Sequence, residues 1–430
     1  MVEPKLRFKE ENGVQFPDWE EKTFNDIADY KKGPFGSALK KKIFVPKSNS
    51  TVKVYEQQNA ISKDWRLERY FVTDEYFQAN LKSFSVSGGD IIVSCAGTIG
   101  EVYELPNDAE KGIINQALMR VRIKKSVINS MVFKCVFDKM ISSEGIKISN
   151  GSALKNIPPF ADMKKQPVFL PSLPEQQKIA SLFTELDNLI HSAENELDGY
   201  RELKQGMLQK MFPKKGETTP EIRFPEFTGD WEHRKFGEVL ETVTDYVAAG
   251  SFADLAKNVE YKDYPDYAQL IRTMDLKNGF TSAQEVYVDK NAFDYLHRVN
   301  MDKECIILPN IGNCGEVYYV KPESLPYEHN VLGPNAIFVR SETCANNFLS
   351  ILLQAKDFQT KLKLIVSPNG QTKFNKTELK GIDLILPGNV YEQEKIGQYF
   401  ENLDSLIALQ QKEIDGYKEL KKGLLQQMFC

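Results

Sequence analysis

From Ile179, apolar residues recur at spacings of four and three: Ile179, Phe183, Leu186, Ile190, Ala193, Leu197, Tyr200. The rhythm returns at Ile396, Phe400, Leu403, Ile407, Gln410, Ile414, Tyr417. A 3.5-residue period with charged positions between predicts two long helices, each with a coiled-coil seam. Leu189, Leu203, Leu406 and Leu420 widen the stripe, giving each helix a second apolar line. Ser172-Leu-Pro-Glu175 and Asn389-Val-Tyr-Glu392 read as the starts, in the pattern of a capping box. At about 1.5 Å per residue, either helix makes a rod of about 57 Å. Gly199, Gly206, Gly416 and Gly423 interrupt the pattern. Each costs ~1 kcal/mol against alanine in a helix interior, and their presence in both copies predicts close backbone approach.

The two helices are copies. Glu175–Phe212 and Glu392–Phe429 align without a gap at an offset of 217, with 21 of 38 positions identical. The preceding segments repeat as well. Pro4-Lys-Leu-Arg-Phe8 matches Pro220-Glu-Ile-Arg-Phe224, and Trp19…Phe24 matches Trp231…Phe236. Gly89-Asp-Ile-Ile-Val-Ser-Cys-Ala-Gly97-Thr-Ile-Gly100-Glu-Val-Tyr103 matches the stretch from Glu304 to Tyr318 at offset 215. Both read as strand, tight turn, strand. Asn115 and Asn330 keep that offset and are expected to open another strand, with helices to follow at Met131–Met140 and Asn347–Leu364. An internal repeat of this kind sets the architecture: globular block, long helix, globular block, long helix. The second seam is buried only if it finds the first, and connectivity favours an antiparallel pair that returns Phe429 to the first block.

The 430 residues leave room for two or three domains. No apolar run approaches the ~20 residues of a membrane span, and MVEPKLRFKE is not a signal peptide. A cytoplasmic protein is expected. The six cysteines are scattered with no CxxC, which predicts reduced thiols and no zinc site. Net charge is −5, yet the charge is segregated. Residues 20–160 carry 21 Lys+Arg against 16 Asp+Glu, residues 175–212 carry 4 against 7, and residues 235–380 carry 16 against 19. The first block is thus basic, and the second shares its scaffold but not its surface.

Within the first block, Gly33-Pro-Phe-Gly-Ser37 sits among Lys31, Lys32, Lys40, Lys41, Lys42 and Lys47. Free backbone N–H groups, a hydroxyl and clustered ammonium groups suit phosphate. Polar loops at Ser149-Asn-Gly-Ser152 and Pro368-Asn-Gly-Gln371 offer amides and hydroxyls of the kind that read base edges. The candidate DNA-contacting residues are therefore Lys31, Lys32, Gly33, Phe35, Gly36, Ser37, Lys40, Lys41, Lys42, Asn150, Ser152 and Lys155 in the first block. In the second they are Ser251, Arg272, Asn310, Asn313, Asn369, Gln371 and Lys373. Catalysis finds no footing: the four histidines are isolated, and no nucleophile–base pair, metal-ligand spacing or Walker loop is present. Asn156-Ile-Pro-Pro-Phe160 is not a methylase tetrapeptide, because an isoleucine interrupts it.

Two blocks alternating with two Leu-Pro…Glu-Gln-x-Lys-Ile helices, together with Gly33–Ser37, the Gly89–Gly100 hairpin, Asp198-Gly-Tyr200 and Asp415-Gly-Tyr417, resemble the specificity subunit of a type I restriction–modification system. The resemblance spans the chain. It implies an α+β fold with two pseudo-symmetric β-rich target-recognition domains separated by an antiparallel two-helix coiled coil. The expected divisions are an N-terminal arm (1–18), a first recognition domain (19–169), a spacer helix (170–212), a linker (213–229), a second recognition domain (230–385) and a C-terminal spacer helix (386–430). It further implies that each domain reads one half of a bipartite site in double-stranded DNA. The helices would set the spacing and dock two methyltransferase subunits through Ile179, Phe183, Leu186, Ile190, Leu197, Tyr200, Ile396, Phe400, Leu403, Ile407, Ile414 and Tyr417. S-adenosylmethionine would belong to those methyltransferases, ATP and magnesium to two motor–nuclease subunits, and no cofactor, metal or catalytic residue to this chain. The competing reading is a non-catalytic coiled-coil adaptor with two protein-binding heads.

Overall fold

The computed structural model describes residues 4–142, 159–280, 284–366 and 372–429. Backbone contacts group the chain into two compact units, Met1–Ala193 with Glu413–Cys430, and Glu194–Lys412. Each contains one head and parts of both long helices, Leu173–Lys210 and Val390–Met428.

In the first unit, Glu20–Thr23 pairs antiparallel with Pro167–Leu170, which closes the head and delivers the chain to the long helix. The head carries two four-stranded sheets. One has the order Ala28–Lys32, Leu118–Ile123, Ile91–Ser94, Val102–Glu104, all antiparallel. Its strand Ile91–Ser94 is buried at every position, as an apolar run between two paired neighbours should be. The other has the order Tyr70–Thr73, Thr51–Tyr55, Gly112–Ile114, Ser85–Val86, and Thr51–Tyr55 runs parallel to Gly112–Ile114. The helix Ser130–Ser142 packs Val132, Phe133 and Phe137 into a core shared with Phe183 and Phe429. The second unit repeats this plan. Glu232–Lys235 pairs with Asp383–Leu386. A four-stranded sheet has the order Thr242–Asp245, Ala336–Arg340, Cys305–Pro309, Tyr318–Val320, and a three-stranded sheet has the order Tyr287–Val288, Ala268–Ile271, Asn330–Leu332.

The helix segments run antiparallel within each unit. In the first, Asp187 meets Lys421 at 2.5 Å and Phe183 meets Phe429 at 6.1 Å between ring centroids. In the second, Lys204 meets Asp404 at 2.5 Å and Phe212 meets Phe400 at 6.2 Å. These are one pair of contacts seen twice, because Asp187 and Asp404, and likewise Lys204 and Lys421, are 217 residues apart. Of the seam, Ile179, Phe183, Leu186, Leu197, Ile396, Phe400, Leu403 and Ile414 are buried, and Ile190, Tyr200, Ile407 and Tyr417 are half-buried.

Four local expectations change. The first capping box does not form. Ser172 Oγ is buried with no hydrogen-bond partner, and Glu175 turns to Arg7 instead. At the second helix Asn389 Oδ1 does accept from the Tyr391 N–H at 2.9 Å, but Glu392 turns to Arg223. The helix expected over Asn347–Leu364 is two, Asn346–Leu352 and Lys356–Ile365, because Ala355 adopts an extended backbone and Gln359 Nε2 donates to the freed Leu353 carbonyl at 2.7 Å. Asn115 and Asn330 are not equivalent. The Asn115 N–H bonds Tyr55 O as the Gly333 N–H bonds Ile271 O, so three extra residues separate hairpin and strand in the second head. Finally, among the described residues a Cβ at Gly199, Gly206, Gly416 or Gly423 would meet no atom beyond its own helix backbone within 4 Å, so these glycines serve no close approach between the described parts of the protein.

Candidate nucleic-acid interface

The motif Glu-Gln-x-Lys-Ile at the head of each long helix is a joint. Glu175 takes Arg7 in a two-pronged ion pair, at 3.1 and 2.8 Å. Gln176 accepts from the Asn129 N–H at 2.8 Å and donates to Val127 O and Pro171 O, both at 2.9 Å. Lys178 Nζ reaches Lys9 O at 2.8 Å, and Ile179 enters the core. In the second copy Glu392 takes Arg223 at 2.7 and 2.8 Å, Gln393 accepts from the Ala345 N–H at 3.0 Å, and Lys395 pairs with Glu226. One dipeptide thus fixes both the preceding arm and the head to the rod. Local sequence reading missed this, since the partners lie 168 and 169 residues away.

A second repeated device braces the hairpin loops. Gly97 and Gly100 have φ of 67° and 88°, Gly312 and Gly315 have 84° and 108°, and these left-handed turns need glycine. In the first head the short helix Gln57–Ile61 leans on the loop: Gln57 Nε2 donates to Thr98 O at 3.0 Å and Lys63 pairs with Glu101 at 2.7 Å. In the second, helix Thr273–Lys277 occupies the same place, with Lys277 on Glu316 at 2.8 Å. Segment 372–374 adds a strut, through the Gly312 N–H to Thr372 O at 3.0 Å and the Phe374 N–H to Asn310 O at 3.2 Å. Asn313 and Lys373 are therefore gathered at one edge, Lys373 through its bridge to Ile311, whereas the Asn310 amide turns inward, its Nδ2 3.4 Å from Phe374 O and its Oδ1 buried with no hydrogen-bond partner among the described residues. Arg272 caps the neighbouring helix but is committed internally. Its Nε and Nη2 hold Asp275 at 2.9 and 2.8 Å, and the hydrogen bonds to Asp275 raise its pKa further. Ser251 caps Phe252–Asn258, with its Oγ 3.2 Å from the Asp254 N–H.

Around Gly33–Lys42 the backbone is firmly held. The Gly33 N–H donates to Leu118 O at 2.8 Å, and a Cβ there would lie 1.8 Å from Asn115 O. Gly33 is thus a packing requirement rather than a phosphate contact. Lys31 is half-buried over the Phe84 ring at 4.9 Å. Lys32, Gly36, Ser37, Lys40, Lys41 and Lys42 are exposed. Among the described residues no carboxylate pairs with Lys40, Lys41 or Lys42, whereas Lys47 is tied to Glu68 at 2.7 Å. Phe35 is 89% exposed. Asn150, Ser152, Lys155, Asn369 and Gln371 lie outside the described residues.

Among the described residues no group of three or more His, Cys, Asp or Glu could hold a metal. Burial pushes the Cys95, Cys135 and Cys305 thiols up to about 12, which keeps them protonated and unreactive. His329 stacks on Tyr267, with ring centroids 4.5 Å apart.

Comparison with known proteins agrees with this geometry. The Type I restriction modification DNA specificity domain matches residues 17–198 and again 228–418. The type I restriction enzyme MjaVIII specificity subunit of Methanocaldococcus jannaschii is 22% identical, over 97% of this chain and 94% of its own length. The putative MjaX specificity subunit of the same organism is 22% identical over 61% of this chain and 58% of its own. Among solved structures, the type I S subunit from M. genitalium superposes with a TM-score of 0.57 at 15% identity, covering 100% of this chain and 99% of that one. A chain from a study of type I assembly and conformational transition gives 0.53 at 12%, covering 96% and 98%. With two copies of the domain filling most of its length, the chain belongs to the type I restriction–modification DNA specificity family.

Proposed function

We propose that each head reads one half of a bipartite DNA site in the major groove, and that the long helices set the distance between the halves and dock two methyltransferase subunits. The observation that carries this is one scaffold bearing two unlike surfaces. Both heads present a Gly-x-x-Gly hairpin braced by a Lys–Glu pair, with exposed Lys40, Lys41 and Lys42 in one head and exposed Asn313 and Lys373 in the other. A scaffold repeated for structure and varied at its surface suits two readers of different sequences. The chain itself catalyses nothing in this reading. Partner methyltransferases bring S-adenosylmethionine and modify adenine N6. Two motor–nuclease subunits bring ATP and magnesium and cut unmodified DNA in the cytoplasm. Among the described residues no helix is long and apolar enough to cross a membrane.

Methylation mapping of genomic DNA from cells that express the chain with its methyltransferase tests the proposal. A single bipartite motif with a fixed gap is expected. Methylation that is absent, or confined to a continuous motif, would overturn it.

A further inference from the structure

In each head the loop leaving the first strand of the four-stranded sheet carries an aromatic side chain into solvent. Phe35 follows Ala28–Lys32 and is 89% exposed, and Phe252 follows Thr242–Asp245 and is 83% exposed. Among the described residues the next most exposed aromatic is Tyr264, at 57%. Neither loop is loose. Phe35 stands between Gly33, locked under Asn115, and Leu39, which is buried, and Tyr76 Oη donates to Ala38 O at 3.0 Å. Phe252 stands between Gly250, where a Cβ would lie 2.2 Å from Tyr295 Oη, and buried Leu255, on a helix capped by Ser251. Both rings are thus held out by a fixed backbone and left largely uncovered by the described residues.

We propose that Phe35 and Phe252 are base-stacking wedges, one per head, that insert against or between base steps of the DNA target. This rests on the DNA-reading function proposed above. A π face takes any base, and an apolar wedge that unstacks a step kinks the duplex, so the ring contributes affinity and a preference for flexible steps rather than a hydrogen-bond code. The exposed Lys40, Lys41 and Lys42 follow Phe35 in the chain and supply the phosphate contacts that a polyanion with stacked rings requires. A protein partner would call for an apolar patch, whereas Phe35 is an isolated ring between Gly33 and Gly36 and a run of cations.

The test uses the complete chain assembled with its methyltransferase, on duplex carrying the mapped motif. Phe35→Ala and Phe252→Ala are expected to melt as wild type and to lose specific affinity by roughly tenfold to a hundredfold, the range for one stacked base. The slope of affinity against salt should stay unchanged, since no charge is removed. Phe35→Trp should keep binding and show indole fluorescence quenched by cognate duplex. Wild-type affinity in both alanine variants, or an unquenched Phe35→Trp, overturns the proposal. So does a loss that appears in methyltransferase binding without DNA. A K40A/K41A/K42A variant with a reduced salt slope would show that the DNA-reading function holds even where the wedge fails. A wild-type complex that binds no DNA sinks both.

Discussion

Arg7 reaches across 168 residues to close a two-pronged ion pair on Glu175, and Arg223 closes the same pair on Glu392. The side chains are nearly out of water: 11% and 0% exposed in the first pair, 16% and 1% in the second. Losing one partner strands a buried charge, which typically costs about 3–5 kcal/mol. Arg7→Ala is therefore expected to lower the thermal midpoint of the full chain by calorimetry. Arg7→Met with Glu175→Leu, which removes both charges, should recover most of the loss. A single variant that melts as wild type would remove the pair from the account.

In the first unit, Asp187 lies between Lys134 and Lys421, at 2.6 and 2.5 Å. Burial alone would raise this carboxyl, but hydrogen bonds from both lysines outweigh it and hold the pKa below the ordinary value. A depressed folded pKa contributes stability that is present above the unfolded value of about 3.9 and is lost as pH falls through the lower folded one. Asp187→Asn should destabilise the chain at pH 7 and leave less effect as the medium approaches pH 3. Chemical denaturation at the two pH values reads this directly, and an equal effect at both would contradict it.

Gly199, Gly206, Gly416 and Gly423 have open space where a side chain would sit. Alanine at each should stabilise the isolated chain by ~1 kcal/mol. If these faces receive a methyltransferase helix, the same variants should weaken assembly, as read by analytical ultracentrifugation of the mixed subunits. Destabilisation of the isolated chain would restore the expectation of close approach within it.

The long helices were legible because the 3.5-residue period and the 217-residue duplication are both present in the linear sequence. The partners of Glu175 and Glu392 were not. Ser172-x-x-Glu175 satisfies a local rule, and a carboxylate's preference for a distant arginine leaves no periodic trace. Asn330 opens its strand as expected, but Asn115 follows one, for a related reason: an insertion of three residues keeps strand composition while shifting register. In the candidate interface, the lysines at 40–42 were visible as charge. The structural duty of Gly33, under Asn115 O, depends on a strand 82 residues later.

Within each unit an arm meets the end of a long helix in the same way. The Leu6 N–H bonds Gln427 O at 3.0 Å as the Ile222 N–H bonds Lys210 O at 2.9 Å. A circular permutant opened within residues 213–219, with the old termini joined by a short flexible link, should fold and direct methylation to the unchanged motif. A permutant that folds but methylates a different gap length would contradict the equivalence of the two joints.

Independence of the two heads is the central claim. Its most direct test replaces residues 230–385 with the corresponding segment of another family member and maps methylation in cells that also express the methyltransferase. One half of the bipartite motif should change, with the other half and the gap preserved. A change in both halves, or an altered gap with both halves intact, would contradict the account.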